Sequence, residues 1–227
     1  MSKSIYVGTR GWEDTAWAAR FYPEELPDDW RFCYYSNRLR AVFVPGTALA
    51  SVAATTVAQW MEDSDPEFAM VVEVPADLAR PSADASALDA FIARMAALEG
   101  QLAGWLLAPP AGPVAARWLG DMLDRLNAVA PVCLDLAGRA DDPAIERVRI
   151  AHRAGRCWRP AQEPAPAPDG ELLVCFAAEG TPRGQRRLLE DINRWQAQQR
   201  AAGLFFEGPD ATAQAEQARV LAELMGI

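Results

Sequence analysis

Eight short apolar runs, separated by segments with helical patterns, constrain the fold of this chain more than any other feature. Most of the runs are almost continuously hydrophobic rather than alternating, which is typical of parallel strands buried on both faces. Because such strands alternate with helices, we predict a parallel sheet, and eight units favour a closed, TIM-like α/β barrel. The predicted strands span residues 4–8, 39–44, 68–74, 102–107, 132–136, 156–158, 172–176 and 204–207.

The segments between these runs carry apolar residues at spacings of three and four, as in helices packed on a core. The predicted helices span residues 28–38, 51–61, 86–98, 114–128, 142–154, 183–201 and 211–224. One connection differs, because residues 160–170 hold four prolines and cannot form a helix. We therefore expect a proline-rich loop in place of the sixth helix.

Length and composition fit one domain of the barrel class over residues 1–227 and exclude several functions. The net charge of −9 argues against binding to nucleic acid or to an anionic membrane. No apolar run reaches the roughly 18–20 residues that cross a bilayer, and no signal peptide is recognised, so we expect a cytoplasmic protein. The partner is then a small molecule or a protein that the sequence does not identify.

The cysteines and the histidine give no sign of a metal or cofactor site. The four cysteines form no C-x-x-C pair, and three of them lie in apolar runs, which predicts buried thiols in a reducing compartment. His152 is the only histidine, and it lies on a predicted helix beside arginines. A zinc site needs clustered ligands, so no metal or cofactor is evident.

The first predicted strand runs into a short glycine turn, Gly8-Thr9-Arg10-Gly11-Trp12, which is followed by Trp17 and Phe21-Tyr22-Pro23. One interpretation is a ligand site, in which Arg10 supplies a guanidinium for an anion and Trp12 supplies an aromatic platform. Thr9 directly precedes Arg10 in the same turn. The other interpretation is structural, with Trp12 packed under a loop and Arg10 paired with a carboxylate. We retain Thr9, Arg10 and Trp12 as candidate ligand-binding residues.

The same segment resembles the YecE-like family, the domain of unknown function 72, whose members begin with a strand, G-T-S-G-W, a second tryptophan and F-Y-P. A weaker likeness continues through Val74-Pro75, Leu106–Pro110 and Phe205-Phe206. The resemblance implies a TIM-like barrel. It also implies that Arg10 stands where the family more often has serine.

Departures from the family pattern fall at the predicted strand ends, which in a barrel form the C-terminal mouth. The resemblance pairs Glu73 with a family lysine, Leu107 with a glutamine, and Cys175 and Ala177 with an arginine and a histidine. Only the acid at Asp135 is retained. Loss of these polar groups predicts a non-catalytic or altered protein that binds a small ligand or a partner.

An alternative function uses the carboxylates that end or follow the strands. Glu73, Asp135 and Glu207, together with Glu179, could converge as acid and base or bind a divalent metal. This arrangement would suit a metal-assisted hydrolase or phosphate-ester enzyme, and a divalent cofactor is expected only in that case. The competing interpretation is that each acid is solvated or pairs with an arginine, of which Arg10, Arg139 and Arg159 are near in sequence.

Overall fold

The chain forms a nearly closed barrel of eight parallel strands surrounded by helices, which confirms the predicted fold. The computed structural model describes residues 5–49, 52–137, 142–178, 180–196 and 200–227. The strands are β1 (Tyr6–Arg10), β2 (Ala41–Val44), β3 (Ala69–Glu73), β4 (Leu102–Leu107), β5 (Val132–Leu134), β6 (Gly155–Arg156), β7 (Leu172–Ala177) and β8 (Ala201–Phe206). The helices are α1 (Thr15–Phe21), α2 (Arg31–Arg38), α3 (Gly46–Leu49), α4 (Ala54–Glu62), α5 (Ala85–Ala96), α6 (Ala116–Asn127), α7 (Pro143–Ala151), α8 (Pro182–Gln196) and α9 (Ala211–Met225).

The strands pair in the order β6-β5-β4-β3-β2-β1-β8-β7, so β6 and β7 are the two edges of the sheet. These edges are joined by a single residue, Trp158, which lies beyond the end of β6. Trp158 forms a parallel bridge with Cys175, in which its N–H donates to the Val174 carbonyl at 2.8 Å and its carbonyl accepts from the Phe176 N–H at 2.9 Å. The seam is therefore shorter than the pairing of β7 with β8, which extends over six residues.

Several predicted boundaries differ from the observed ones, most clearly where α8 gives way to β8. The helix predicted over 183–201 ends at Gln196 among the described residues, and β8 begins at Ala201, three residues before its predicted start. α1 and the four-residue α3 were not predicted. α1 begins after Asp14, whose carboxylate accepts the Ala16 N–H at 2.8 Å, and it buries Trp17.

The core has two parts. The outer part lies between the strands and the helices, and the inner part fills the barrel. Three aromatic rings in the inner part contact one another, with Phe43 and Phe176 edge to face at 4.8 Å and Phe205 close to both. The barrel interior is thus packed with side chains and does not form a pore.

Between β6 and β7 the chain runs through turns and extended backbone and contains no helix. Two indole N–H groups hold this segment, since Trp158 donates to the Glu163 carbonyl at 3.0 Å and Trp195 of α8 donates to the Ala167 carbonyl at 3.1 Å. The buried guanidinium of Arg149 forms two hydrogen bonds to Asp169 at 2.9 and 2.7 Å. Among the helices described, none is long and apolar enough to cross a membrane.

Candidate functional site

A layer of five charged side chains lies at the carboxyl ends of the strands, directly above the inner core. Side chains alternate along a strand, so a residue two positions beyond an inner-core residue points to the same interior. Val71 precedes Glu73, Cys133 precedes Asp135, and Phe205 precedes Glu207 by this spacing. The members of the layer are Arg10, Glu73, Asp135, Arg159 and Glu207.

Arg10 contacts two of the three candidate carboxylates. Its Nη1 donates to Glu207 Oε1 at 3.0 Å, and its Nη2 lies 3.7 Å from Glu73 Oε2. Glu73 Oε2 also accepts the Gly46 N–H at 2.8 Å, which fixes this carboxylate against the start of α3. The structure therefore brings Arg10, Glu73 and Glu207 together.

The third candidate carboxylate, Asp135, forms a separate ion pair. Arg159 Nη1 and Nη2 donate to its two oxygens at 2.9 and 2.7 Å, and the Ala137 N–H donates at 3.0 Å. Burial alone would raise the pKa of Asp135, but these hydrogen bonds outweigh burial and hold the pKa below its ordinary value. Asp135 is thus an ionised partner of Arg159 rather than a proton donor near neutral pH.

The two arginines stack on the same aromatic floor. The Cζ atom of Arg10 lies 5.5 Å from the centre of the Phe43 ring and 5.7 Å from that of Phe176. The Cζ atom of Arg159 lies 5.4 Å from the Phe176 ring centre. Sequence reasoning did not include these rings in the site, although Phe43 and Phe176 each stand one residue before the end of a strand, on the inward side.

A cleft of about 340 Å³ opens beside Arg10, between the loop after β1 and α3. We refer to it as the Trp12 cleft. Trp12 is half-buried on Phe32 and Trp60, with ring centres at 5.0 and 5.2 Å in edge-to-face geometry. The cleft is lined by Arg10, Gly11, Trp12, Glu13, Asp14, Pro45, Thr47 and Ala48.

Thr9 lies in the barrel wall and does not face the mouth. It is fully buried, its backbone N–H donates to the Tyr35 hydroxyl at 2.9 Å, and its own hydroxyl donates to the Gly11 carbonyl at 2.6 Å. Gly8 also serves the wall, because a Cβ there would lie 1.9 Å from the Ala41 carbonyl oxygen. Gly11 has φ +71°, which ends the strand in a conformation suited to glycine. Two of the three candidate ligand residues, Arg10 and Trp12, therefore line the cleft.

The remaining titratable candidates do not join this cluster. Glu179 and Arg139 lie outside the described residues. His152 contacts Asp124 at 3.0 Å on the outer surface. Within the described ranges, no group of three or more His, Cys, Asp and Glu side chains is placed to hold a metal ion.

Three positions that the family resemblance assigned to the mouth were placed wrongly. Leu107, Cys175 and Ala177 belong to the outer core, where they face the helices. Their inward neighbours are Leu106, Val174 and Phe176. Because a strand alternates its faces, a frame shifted by one residue exchanges inside and outside.

These features define an α/β barrel whose mouth carries paired charges over an aromatic floor. A match to the family described as "Protein of unknown function DUF72" covers residues 6–140, more than half of the chain. The chain belongs to this DUF72 family, in agreement with the motif at its first strand.

Solved structures share the fold at low sequence identity. A DUF72 family protein from Thermotoga maritima aligns over 97% of this chain and 100% of its own, with 19% identity and a TM-score of 0.72. A DUF72 family protein from Enterococcus faecalis aligns over 96% and 95%, with 13% identity and a TM-score of 0.70. D-psicose 3-epimerase from Clostridium cellulolyticum aligns over 98% and 97%, with 8% identity and a TM-score of 0.56. No curated protein matches the chain.

Proposed function

We propose that this DUF72 protein binds a small ligand in the Trp12 cleft and does not catalyse a reaction on it. The observation that carries the proposal is the position of the cleft, which adjoins the charged mouth through Arg10 and has an aromatic wall in Trp12. Its volume of about 340 Å³ is near the lower end of the range for small-molecule sites. A ligand of a few heavy atoms, rather than a large cofactor, fits this space.

The state of the carboxylates supports binding over catalysis. A general acid or base works best with a pKa near the working pH, whereas the pKa of Asp135 is lowered. Glu73 and Glu207 share Arg10, and a divalent metal would have to compete with that guanidinium for their oxygens. The hydrolase alternative therefore has no specific observation in its favour.

The charge of the cleft predicts the charge of the ligand. Glu13 and Asp14 line it, and the positive charge of Arg10 is already balanced by Glu207 and Glu73. These carboxylates would repel an anionic ligand, so we expect a neutral or cationic one.

We also infer that the proline-rich segment takes the place of the barrel's sixth helix. It leaves a cavity of about 300 Å³ beside Arg149 and Asp169, which shares no lining residue with the Trp12 cleft. The free state of the four cysteines agrees with the expected cytoplasmic location.

The test is a thermal-shift screen with three compound classes: neutral polyols, small organic cations and phosphorylated metabolites. A ligand that binds the native state raises the Tm by mass action. We expect shifts from the first two classes and none from the third. Ala48→Phe fills the cleft from an exposed position and should abolish the shift, whereas the matched control Ala213→Phe, on the exposed side of α9, should not. Equal shifts in the two variants, or no shift with any compound, would contradict the proposal.

A further inference from the structure

The guanidinium of Arg10 occupies a site that has the composition of a receptor for an organic cation. We refer to it as the guanidinium site, formed by Glu73, Glu207, Phe43 and Phe176. The two carboxylates lie 3.7 and 3.0 Å from Arg10 nitrogens, and the two rings lie 5.5 and 5.7 Å from its Cζ. Flanking carboxylates and aromatic faces are the groups that bind planar cations.

The aromatic floor of this site and one of its carboxylates do not depend on Arg10 for their positions. Glu73 is fixed by the Gly46 N–H at 2.8 Å. Phe43 is fully buried and packs edge to face on Phe176. If the Arg10 side chain moves away, the floor and one carboxylate stay in place, and two negative charges lose their counterion.

Arg10 is held more loosely than the other arginine of the layer. Its side chain is 42% exposed and forms one hydrogen bond at 3.0 Å, whereas Arg159 is 22% exposed and forms two hydrogen bonds to Asp135. Exposed ion pairs contribute little free energy because water competes for both partners. Arg10 also lines the Trp12 cleft, so this side chain lies between the cleft and the guanidinium site, and its exposed side can turn towards solvent.

We propose that the guanidinium site accepts a planar cationic group, of the guanidinium or amidinium class, from the ligand of the Trp12 cleft, and that Arg10 occupies the site in the ligand's absence. The inference rests on the proposed function, because the remainder of the ligand lies along Trp12. It makes Arg10 an internal competitor, and the ligand must displace it before the cationic group can reach both carboxylates.

Arg10→Ser tests this directly, with methylguanidinium as the probe. The substitution removes the competitor at a half-exposed position, and we expect a Tm lower by a few degrees. Methylguanidinium chloride, titrated to about 20 mM at an ionic strength held constant with NaCl, should then raise the Tm. At ten times its Kd the rise is roughly 3–6 °C for a chain of this size. Calorimetry should show at least a tenfold weaker affinity for the wild-type chain.

Two variants establish where the probe binds. Arg186→Ser removes an arginine from an exposed pair with Glu190 on α8, where Arg186 Nε lies 3.0 Å from the carboxylate, and it should gain no affinity for methylguanidinium. Adding Glu207→Gln to Arg10→Ser should remove the gained affinity. Equal binding to the Arg186 and Arg10 variants would overturn the proposal, as would stabilisation of the Arg10 variant by CaCl₂ but not by methylguanidinium.

The outcomes separate this inference from the proposed function. If organic cations shift the wild-type Tm through the cleft but Arg10→Ser gains nothing for methylguanidinium, the guanidinium site is refuted and the cleft remains. If Arg10→Ser gains affinity while no compound shifts the wild-type chain, the guanidinium site is supported and the proposed function fails.

Discussion

The hydroxyl of Tyr35 joins the first two strands to α2, and its removal gives a sharp test of the barrel wall. The hydroxyl accepts the Thr9 N–H at 2.9 Å, donates to the Ala41 carbonyl at 3.0 Å, and lies 2.9 Å from Thr9 Oγ1. Tyr35 is fully buried, so water cannot replace these hydrogen bonds. Tyr35→Phe keeps the ring and removes only the hydroxyl.

The expected cost follows from the groups left without a partner. The Thr9 N–H and the Ala41 carbonyl each lose a hydrogen bond in a buried place, at about 1–3 kcal/mol for each group. Allowing for relaxation, we expect the free energy of unfolding to fall by about 2–4 kcal/mol. For a chain of this size that corresponds to a Tm lower by roughly 4–16 °C.

The neighbouring tyrosine is the control. The Tyr34 hydroxyl accepts an exposed hydrogen bond from Arg38 at 3.3 Å, which water can replace, so Tyr34→Phe should change stability by about 0.5 kcal/mol or less. Urea unfolding followed by circular dichroism measures both variants. If Tyr35→Phe loses no more stability than Tyr34→Phe, the hydrogen bonds of the Tyr35 hydroxyl to Thr9 and Ala41 do not stabilise the barrel wall.

Other parts of the structure give three further expectations. Arg149→Met should lower the free energy of unfolding by about 1–3 kcal/mol in urea, because the buried Ala154 carbonyl loses the hydrogen bond that Arg149 donates at 2.7 Å; a loss below about 0.5 kcal/mol would contradict this. Arg159→Met should destabilise the protein at pH 7 and much less at pH 3. The lowered pKa of Asp135 contributes stability above the pKa of this group in the unfolded chain, near 4, and the contribution disappears as the pH falls through its pKa in the folded protein. An equal loss of stability at both pH values would refute the pairing. A thiol reagent should modify Cys33 in the native chain and all four cysteines after denaturation, because burial raises the pKa of the thiols of the other three; rapid labelling of a second native cysteine would refute their burial.

Most strands were predictable because they are nearly continuous apolar runs, and the barrel follows from their number. The boundaries were less predictable where one element follows another without a polar break. The first two residues of β8 are alanines, which favour a helix, yet pairing with β7 makes Ala201 and Ala202 the start of a strand. α1 is only seven residues long, too short to be stable alone, and packing of Trp17 on Phe21 at 5.6 Å supports it.

The charged layer was partly predictable from alternation along the strands. Glu73, Asp135 and Glu207 were recognised as strand-end acids, and pairing with arginines was one of the interpretations. Which carboxylates pair with Arg10 could not be predicted. Arg10 pairs with Glu207, which follows the neighbouring β8, and with Glu73 at the end of β3, beyond β2, and both contacts depend on the order of the strands around the barrel. Alternation along β1 also explains the role of Thr9. Its neighbour Arg10 faces the mouth, so the Thr9 side chain points into the barrel wall.

The short seam between β6 and β7 has a consequence for how the molecule opens. Regions with little pairing and no helix over them open locally at a lower free energy than the rest of a fold. At this seam the Trp158 and Phe176 amides bridge the two edges, and the chain between β6 and β7 contains no helix. Amide hydrogen exchange should therefore be faster at these two positions than in the middle of β1. When the seam parts, the barrel becomes an open eight-stranded sheet with β6 and β7 as its edges, and the other seven strand pairings stay intact.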